Sequence, residues 1–310
     1  MEGGADMNPQ GGHYLNPAAV LSPLGAVRLT QLAFGCAAVA LVTHSGGPSG
    51  ACSVFCLVAW SACFALSAAI FSLDVTRLQS CLPISWENLT VTVAALATLL
   101  LLTTSVVYPV YFLQPECPYN HCETRNFRIA ATTCSWVACA AYGTEVFHSR
   151  ARPGRAAAYM ATPPGLFKVA EVYVGCAIFA ALVSGSEFWR HAATVCCVAA
   201  FAACLGGTAL AVAASVRGRP ILPCPTPTRL APLAAFAAVL LYLSAAVTWS
   251  VFCFDRKYGS PLRPRECPHG RCAWDSQLVV TVLSFINLAL YVADLCYSQR
   301  THFGTQHPHV

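Results

Sequence analysis

Eighteen cysteines are the most reactive side chains in this 310-residue sequence, and four of them stand in a repeated pattern. Glu116-Cys117-Pro118-Tyr119-Asn120-His121-Cys122 returns as Glu266-Cys267-Pro268-His269-Gly270-Arg271-Cys272. In each motif a proline with an asparagine or glycine can close a tight turn and bring the two thiols within disulfide reach. The other chemistry open to Cys117, Cys122, Cys267 and Cys272 is metal binding, completed by His121 or His269. That reading needs two separate loops to converge on one ion, and closed tetrahedral sites favour a C-x-x-C spacing. Disulfides are the favoured reading, and they put both loops on an oxidising side, lumenal or extracellular.

Other reactive groups read as structural. Cys36, Cys52, Cys56, Cys63, Cys134, Cys139, Cys176, Cys196, Cys197, Cys204 and Cys253 lie inside apolar runs, where a thiol is a small apolar filler. Cys81, Cys224 and Cys296 stand at the edges of such runs, and juxtamembrane cysteines are candidates for S-palmitoylation. His302, His307 and His309 read as part of a solvated tail rather than as metal ligands. Glu145, Glu171 and Asp294 border apolar runs, and pairing with Arg28, Lys168 or interfacial water explains them more simply than a proton relay does. H-E-x-x-H, G-x-S-x-G and P-loop motifs are missing from the sequence, so no catalytic residue, cofactor or metal is expected.

The elements that must position these residues are set by composition. Apolar residues make up 56% of the chain and charged residues 10%, against about 25% charged in an ordinary soluble domain. The mean hydropathy is +0.58. A core that apolar leaves too little polar surface to cover itself in water, so lipid is the expected solvent for much of the chain. The net charge of +5 is dispersed, with no basic block of the kind nucleic acid requires. Eight spans are predicted: Leu29–Thr43, Ala51–Leu73, Leu89–Leu113, Ile129–Thr144, Val172–Ser184, Ala192–Val216, Leu230–Phe254 and Ser276–Ala293. Four of them are short or bordered by a charge, and reach about 20 residues only by taking in residues such as Arg28, Glu145, Lys168 or Asp294.

The chain also repeats itself. The cysteine motifs are offset by 150 residues. Gly25, Arg28, Gln31 and Gly35-Cys36-Ala37 recur 140 residues later as Gly165, Lys168, Glu171 and Gly175-Cys176-Ala177. Tyr142-x-x-Glu145 with Ser149 recurs 149 residues later as Tyr291-x-x-Asp294 with Ser298. The predicted architecture is an all-α integral membrane protein of two parallel four-helix repeats, 17–152 and 161–300. Residues 153–160 link them, and 1–16 and 301–310 are expected to be cytoplasmic tails, the first disordered. An even number of spans per half makes the repeats parallel. With both termini cytoplasmic, ten basic residues fall inside and eight outside, a thin positive-inside margin. The cysteine loops decide the orientation instead. The sequon Asn88-Leu89-Thr90 then falls on the cytoplasmic side and should stay unglycosylated.

Two surface features complete the reading. Ala199, Ala203, Gly207 and Ala211 form a small-residue stripe along which another helix could pack closely. Tyr108, Tyr111, Phe112, Trp249, Phe252 and Phe254 fall at one predicted interface, as an aromatic belt would.

The two four-helix halves, the Arg28/Gln31 and Lys168/Glu171 starts, the E-C-P-x-x-x-C loops and the Tyr-x-x-acid endings together resemble the double-MARVEL proteins of the MAL family. The resemblance runs from Asn16 to Arg300, and the duplicated cysteine loops are its most specific part. It implies a non-enzymatic multi-pass protein of plasma or vesicle membranes. It further implies association with cholesterol-rich domains, with other membrane proteins, and with vesicle traffic or cortical membrane architecture; it carries over no catalytic residue. The alternative in a different class is a channel or small-solute transporter with a pathway between the repeats, which the scarcity of charge in the long apolar runs disfavours.

Overall fold

The computed structural model describes residues 16–47, 50–113, 122–150, 158–185, 188–218, 227–265, 267 and 272–304. Among these residues every regular element is helical. Helix α1 (Pro17–Leu21) leads into α2 (Pro23–His44), α3 (Ala51–Val75), α4 (Trp86–Phe112) and α5 (Cys122–His148). Then follow α6 (Pro163–Val183), α7 (Ala192–Arg217), α8 (Pro227–Phe254) and α9 (Ala273–Gly304). Most of the expected leading tail and the last six residues lie outside the described residues. Residues 301–304, expected in the C-terminal tail, instead prolong α9, because no proline or glycine interrupts the helix before Gly304.

Among the described residues, seven helices are long and apolar enough to cross a membrane by length and composition: Pro23–His44, Ala51–Val75, Trp86–Phe112, Pro163–Val183, Ala192–Arg217, Leu233–Phe254 and Ala273–Arg300. The expected fourth span, Ile129–Thr144, lies within α5. That helix has 27 residues, about 40 Å at 1.5 Å per residue. Its first turns hold Glu123, Arg125 and Arg128, and Thr132, Thr133 and Ser135 follow, so its composition is less apolar than that of the other long helices.

Packing divides the chain into two units, Met1–Pro83 with Leu100–Glu145, and Ile84–Leu99 with Val146–Val310. In each unit the leading long helix starts in the same way. Ser22 caps α2 by accepting from the Gly25 amide at 3.0 Å, with Pro23 at the first helical position. Thr162 caps α6 by accepting from the Gly165 amide at 3.5 Å, with Pro163 in the same place. Both glycines admit the backbone of the preceding segment. A Cβ on Gly25 would stand 2.2 Å from the Ala19 carbonyl oxygen, and one on Gly165 would stand 2.5 Å from that of Tyr159.

The buried faces of the units match in kind and spacing. Gly25, Arg28, Gln31, Gly35, Ala38 and Val42 are buried on α2, and Gly165, Glu171, Gly175, Ile178 and Leu182 on α6. On α3 the buried row is Ser53, Cys56, Trp60, Cys63 and Ser67; on α7 it is Thr194, Cys197, Phe201, Cys204 and Thr208. Buried residues at steps of three and four place each row on one helix face. The opposite faces expose large apolar side chains, Val58 at 60% and Leu210 at 61% among them. The interior is apolar as in a water-soluble protein, but the outer faces are apolar too and polar side chains such as Arg28, Gln31 and Glu171 are turned inward, as lipid requires.

Candidate functional site

The first unit is centred on Arg28. Its Nε donates to Glu145 Oε1 at 2.9 Å, Nη2 approaches the same oxygen at 2.9 Å, and Nη1 pairs with Asp74. Gln31, one turn further along α2, donates from Nε2 to Glu145 Oε2 at 2.7 Å. Both oxygens of the Glu145 carboxylate are thus satisfied by donors from α2. A buried carboxylate requires this, because an ionised group away from water is tolerated only when paired and hydrogen-bonded. One helical turn from Glu145, the Tyr142 hydroxyl donates to the Cys63 carbonyl at 3.1 Å and contacts Ser67 Oγ at 2.5 Å. Trp60 Nε1 donates to Ser135 Oγ at 2.9 Å, and Ser135 contacts Ser105 at 2.7 Å.

The second unit uses the corresponding positions with different chemistry. Lys168 Nζ donates to Asp294 Oδ2 at 2.8 Å. Glu171 stands where the first unit has Gln31; it is 1% exposed and accepts from Thr208 Oγ1 at 3.4 Å. Thr208 also contacts the Tyr291 hydroxyl at 2.8 Å. Asn287 Nδ2 donates to the Tyr242 hydroxyl at 2.9 Å and to the Glu171 carbonyl at 3.4 Å. Glu171 Oε1 and Asn287 Oδ1 are buried without a hydrogen-bond partner among the described residues. The pairing of Arg28 with Glu145 and of Lys168 with an acid follows the sequence reading. Asp74, Ser67, Thr208 and Asn287 were not singled out by it.

Asn88, read from sequence only as part of a sequon, ties the second unit together. Its Nδ2 donates to Ser85 Oγ at 3.0 Å and to the Ser215 carbonyl at 2.9 Å, while Oδ1 accepts from the Met160 amide at 3.0 Å. All its polar capacity faces inward, and the residue is 8% exposed.

At the other end of α8 and α9, Cys267 and Cys272 form a disulfide with Cα atoms 5.3 Å apart. The loop carrying it borders a cavity of about 400 Å³ whose lining includes Phe188, Arg190, His191, Tyr258, Trp274 and Gln277. Arg263 makes a bidentate pair with Asp275, at 2.9 and 3.1 Å, across the base of this loop. Cys117 and the Cys122 side chain lie outside the described residues, as does Cys224. Among the described residues, no group of three or more His, Cys, Asp or Glu side chains could hold a metal ion.

The remaining candidates separate by exposure. Cys81 and Cys296 are exposed, as acylation would require. Ala199, Ala203 and Gly207 are exposed and Ala211 half-buried, so the small-residue stripe lies mainly on the outer face of α7. The aromatic belt needs correction. Tyr108 and Trp249 are 2% and 0% exposed and fill the interiors of their units. Tyr108 packs edge-on against Trp60 at 5.1 Å, and Trp249 lies 6.4 Å from Phe201. Rings of that size contribute most when buried whole. Tyr111, at 61% exposure, keeps an outward position.

Helices of this length with apolar outer faces and paired charges inside define a multi-pass membrane protein, and residues 19–148 match the MARVEL family, a membrane-associating domain. Myeloid-associated differentiation marker-like protein 2 of Bos taurus is 51% identical over 303 residues, covering 97% of this chain and 98% of the relative. The Homo sapiens protein of that name is 50% identical with the same coverage. The myeloid-associated differentiation marker of Homo sapiens is 39% identical over 296 residues, 93% of this chain and 91% of the relative. The chain belongs to the myeloid-associated differentiation marker family of MARVEL proteins. No solved structure matches it.

Proposed function

We propose that this protein is a non-enzymatic organiser of cholesterol-rich membrane domains, acting in vesicle traffic or cortical membrane architecture through lateral contacts with lipid and other membrane proteins. It crosses the bilayer eight times, α5 included, as two parallel four-helix MARVEL-type repeats with both termini cytoplasmic. The matching helix starts at Ser22-Pro23 and Thr162-Pro163, and the matching buried rows of α3 and α7, support the repeat. The disulfide of Cys267 and Cys272 supports an oxidising side for that loop.

The observation that carries the functional reading is the distribution of polarity. Exposed apolar side chains such as Phe34, Val54, Val106, Leu233 and Phe236 offer lipid a broad surface, while Arg28, Glu145, Lys168 and Asp294 are engaged in pairs inside their own units. Side chains tied to one another in this way stabilise a scaffold and do not line a path for solutes. The exposed Ala199–Gly207 stripe is the proposed approach for a partner helix, and Cys81, Cys224 and Cys296 are the proposed acylation sites. The test is partitioning of the labelled protein in giant vesicles that separate into sterol-rich and sterol-poor phases. Enrichment in the sterol-rich phase, lost on sterol extraction, is expected. Equal partitioning, indifferent to sterol, would refute the role.

A further inference from the structure

One wall of the cavity beside the Cys267–Cys272 disulfide comes from a segment that the first half of the sequence lacks. Three residues separate Phe112 from Glu116, whereas eleven separate Phe254 from Glu266. Tyr258, Gly259, Ser260 and Pro264 of that longer segment line the cavity. The wall is held before any ligand arrives. The Gly259 amide donates to the Asp255 carbonyl at 2.8 Å and the Ser260 amide to the Cys253 carbonyl at 3.1 Å. A Cβ on Gly259 would collide with that same Cys253 oxygen. Trp274 Nε1 donates to the Ser260 carbonyl at 3.0 Å, and the His191 ring stands 5.5 Å from Phe252 and 6.3 Å from Tyr258. A site ordered in advance avoids part of the entropic cost of binding.

The lining has the chemistry of a site for an anionic amphiphile. Small-molecule sites of about 300–1,000 Å³ combine apolar and aromatic walls with a few placed polar groups. Here, in about 400 Å³, the walls are Phe188, Phe252, Tyr258 and Trp274, and the placed groups include Arg190 and His191. Among the described lining residues none is a carboxylate. Asp255 and Asp275, the acids of the described loop residues, are engaged: Asp255 accepts from the Lys257 amide at 2.8 Å, and Asp275 pairs with Arg263. Residues 185–191 and 255–275 hold six Arg or Lys against four Asp or Glu. The first turns of α7 and α9 also border the cavity and add the positive ends of two helices. The rim favours a lipid over a soluble anion. Its loops expose Trp189 at 75%, Leu262 at 78% and Tyr258 at 40%, and they join membrane-spanning helices at the depth where lipid headgroups lie.

We infer that this cavity binds an anionic phospholipid, with Arg190 and His191 on its phosphate and the aromatic walls against its glycerol and upper chains. The site rests on the membrane-spanning architecture and on no preference for sterol, so its failure and that of the phase-partitioning test are separate. The full-length protein, extracted from vesicles of phosphatidylcholine and phosphatidylglycerol in equal amounts, is analysed by native mass spectrometry for the lipid that stays bound. One retained phosphatidylglycerol, favoured about tenfold over phosphatidylcholine, is expected. Arg190→Gln, at an exposed side chain whose loss the fold tolerates, should cut that retention about tenfold, and His191→Gln by a smaller factor. Arg256→Gln, on the same loop but outside the lining, should leave it unchanged. Equal retention of the two lipids, retention undiminished in Arg190→Gln, or an equal loss in Arg256→Gln would each overturn the site. Displacement of the bound lipid by soluble glycerol phosphate would overturn the lipid assignment in favour of a free anion.

Discussion

Arg28 and Lys168 occupy corresponding places, three residues past the Gly25 and Gly165 helix starts, yet they are held differently. Arg28 spreads its fork over carboxylates from two other helices, Asp74 on α3 and Glu145 on α5. Lys168 has a single strong partner, Asp294 on α9, and its side chain is 20% exposed against 8% for Arg28. The second acid has also moved, from Asp74 at the end of α3 to Glu171 on α6, while the α7 position in register with Asp74 is Ser215. A planar guanidinium can bridge two carboxylates at once, whereas an ammonium acts as a point charge. Each cluster therefore keeps one cation and two acids; Glu145 and Asp294 each have a donor on both oxygens, whereas Glu171, 1% exposed, has a donor on one oxygen only among the described residues.

The largest expected effect follows from that difference. Arg28→Met removes the guanidinium that bridges Glu145 and Asp74, and breaking a buried pair from one side costs about 3–5 kcal/mol. Lys168→Met should cost about 1–3 kcal/mol, since one charged hydrogen bond is lost and one acid, Asp294, rather than two loses its cation. Thermal unfolding in detergent micelles ranks them, and equal losses would erase the distinction between the units. Next comes a reciprocal exchange. Gln31→Glu removes the donor to Glu145 and sets like charges together, for roughly 3 kcal/mol, while Glu171→Gln should change stability by less than about 1 kcal/mol. A stability loss for Glu171→Gln as large as that for Gln31→Glu would contradict the asymmetry.

Smaller effects test what the units share. Gly25→Ala and Gly165→Ala each push a methyl group into backbone of the preceding segment and should lose about 2 kcal/mol alike, by the same unfolding assay. The smallest are Ser67→Ala and Thr208→Val, which remove the hydroxyl beside Tyr142 and beside Tyr291 for about 1 kcal/mol each. Unequal losses in either set would argue against a common packing plan.

Much of this was legible in the chain because charge is scarce there. In sequences that apolar, Arg28, Lys168, Glu145, Glu171 and Asp294 stand out, and their recurrence at near-constant offsets marks them as partners before any geometry is known. Asp74 escaped because it ends a long apolar run, and linear spacing does not say that the end of α3 returns to Arg28. Asn287, Thr208 and Ser67 escaped because hydroxyls and amides are common in membrane helices, and only tertiary packing decides which of them face inward. The place of Tyr108 and Trp249 near a helix end fits a belt, but the facing Trp60 and Phe201 draw them into the interior instead. The sequon around Asn88 concealed a structural role for the same reason, as its partners Met160 and Ser215 are distant in sequence.

The helix count concentrates the remaining test. Among the described residues, seven helices qualify as spans by length and composition, and α5, with its charged first turns, is the eighth in the proposed two-repeat scheme. Tags at the two termini, probed with an impermeant reagent on intact cells and again after permeabilisation, report directly whether α5 crosses. Both tags protected until permeabilisation is the result expected of eight crossings with cytoplasmic ends. One tag exposed on intact cells and the other protected would mean an odd number of crossings and would contradict the paired four-helix architecture.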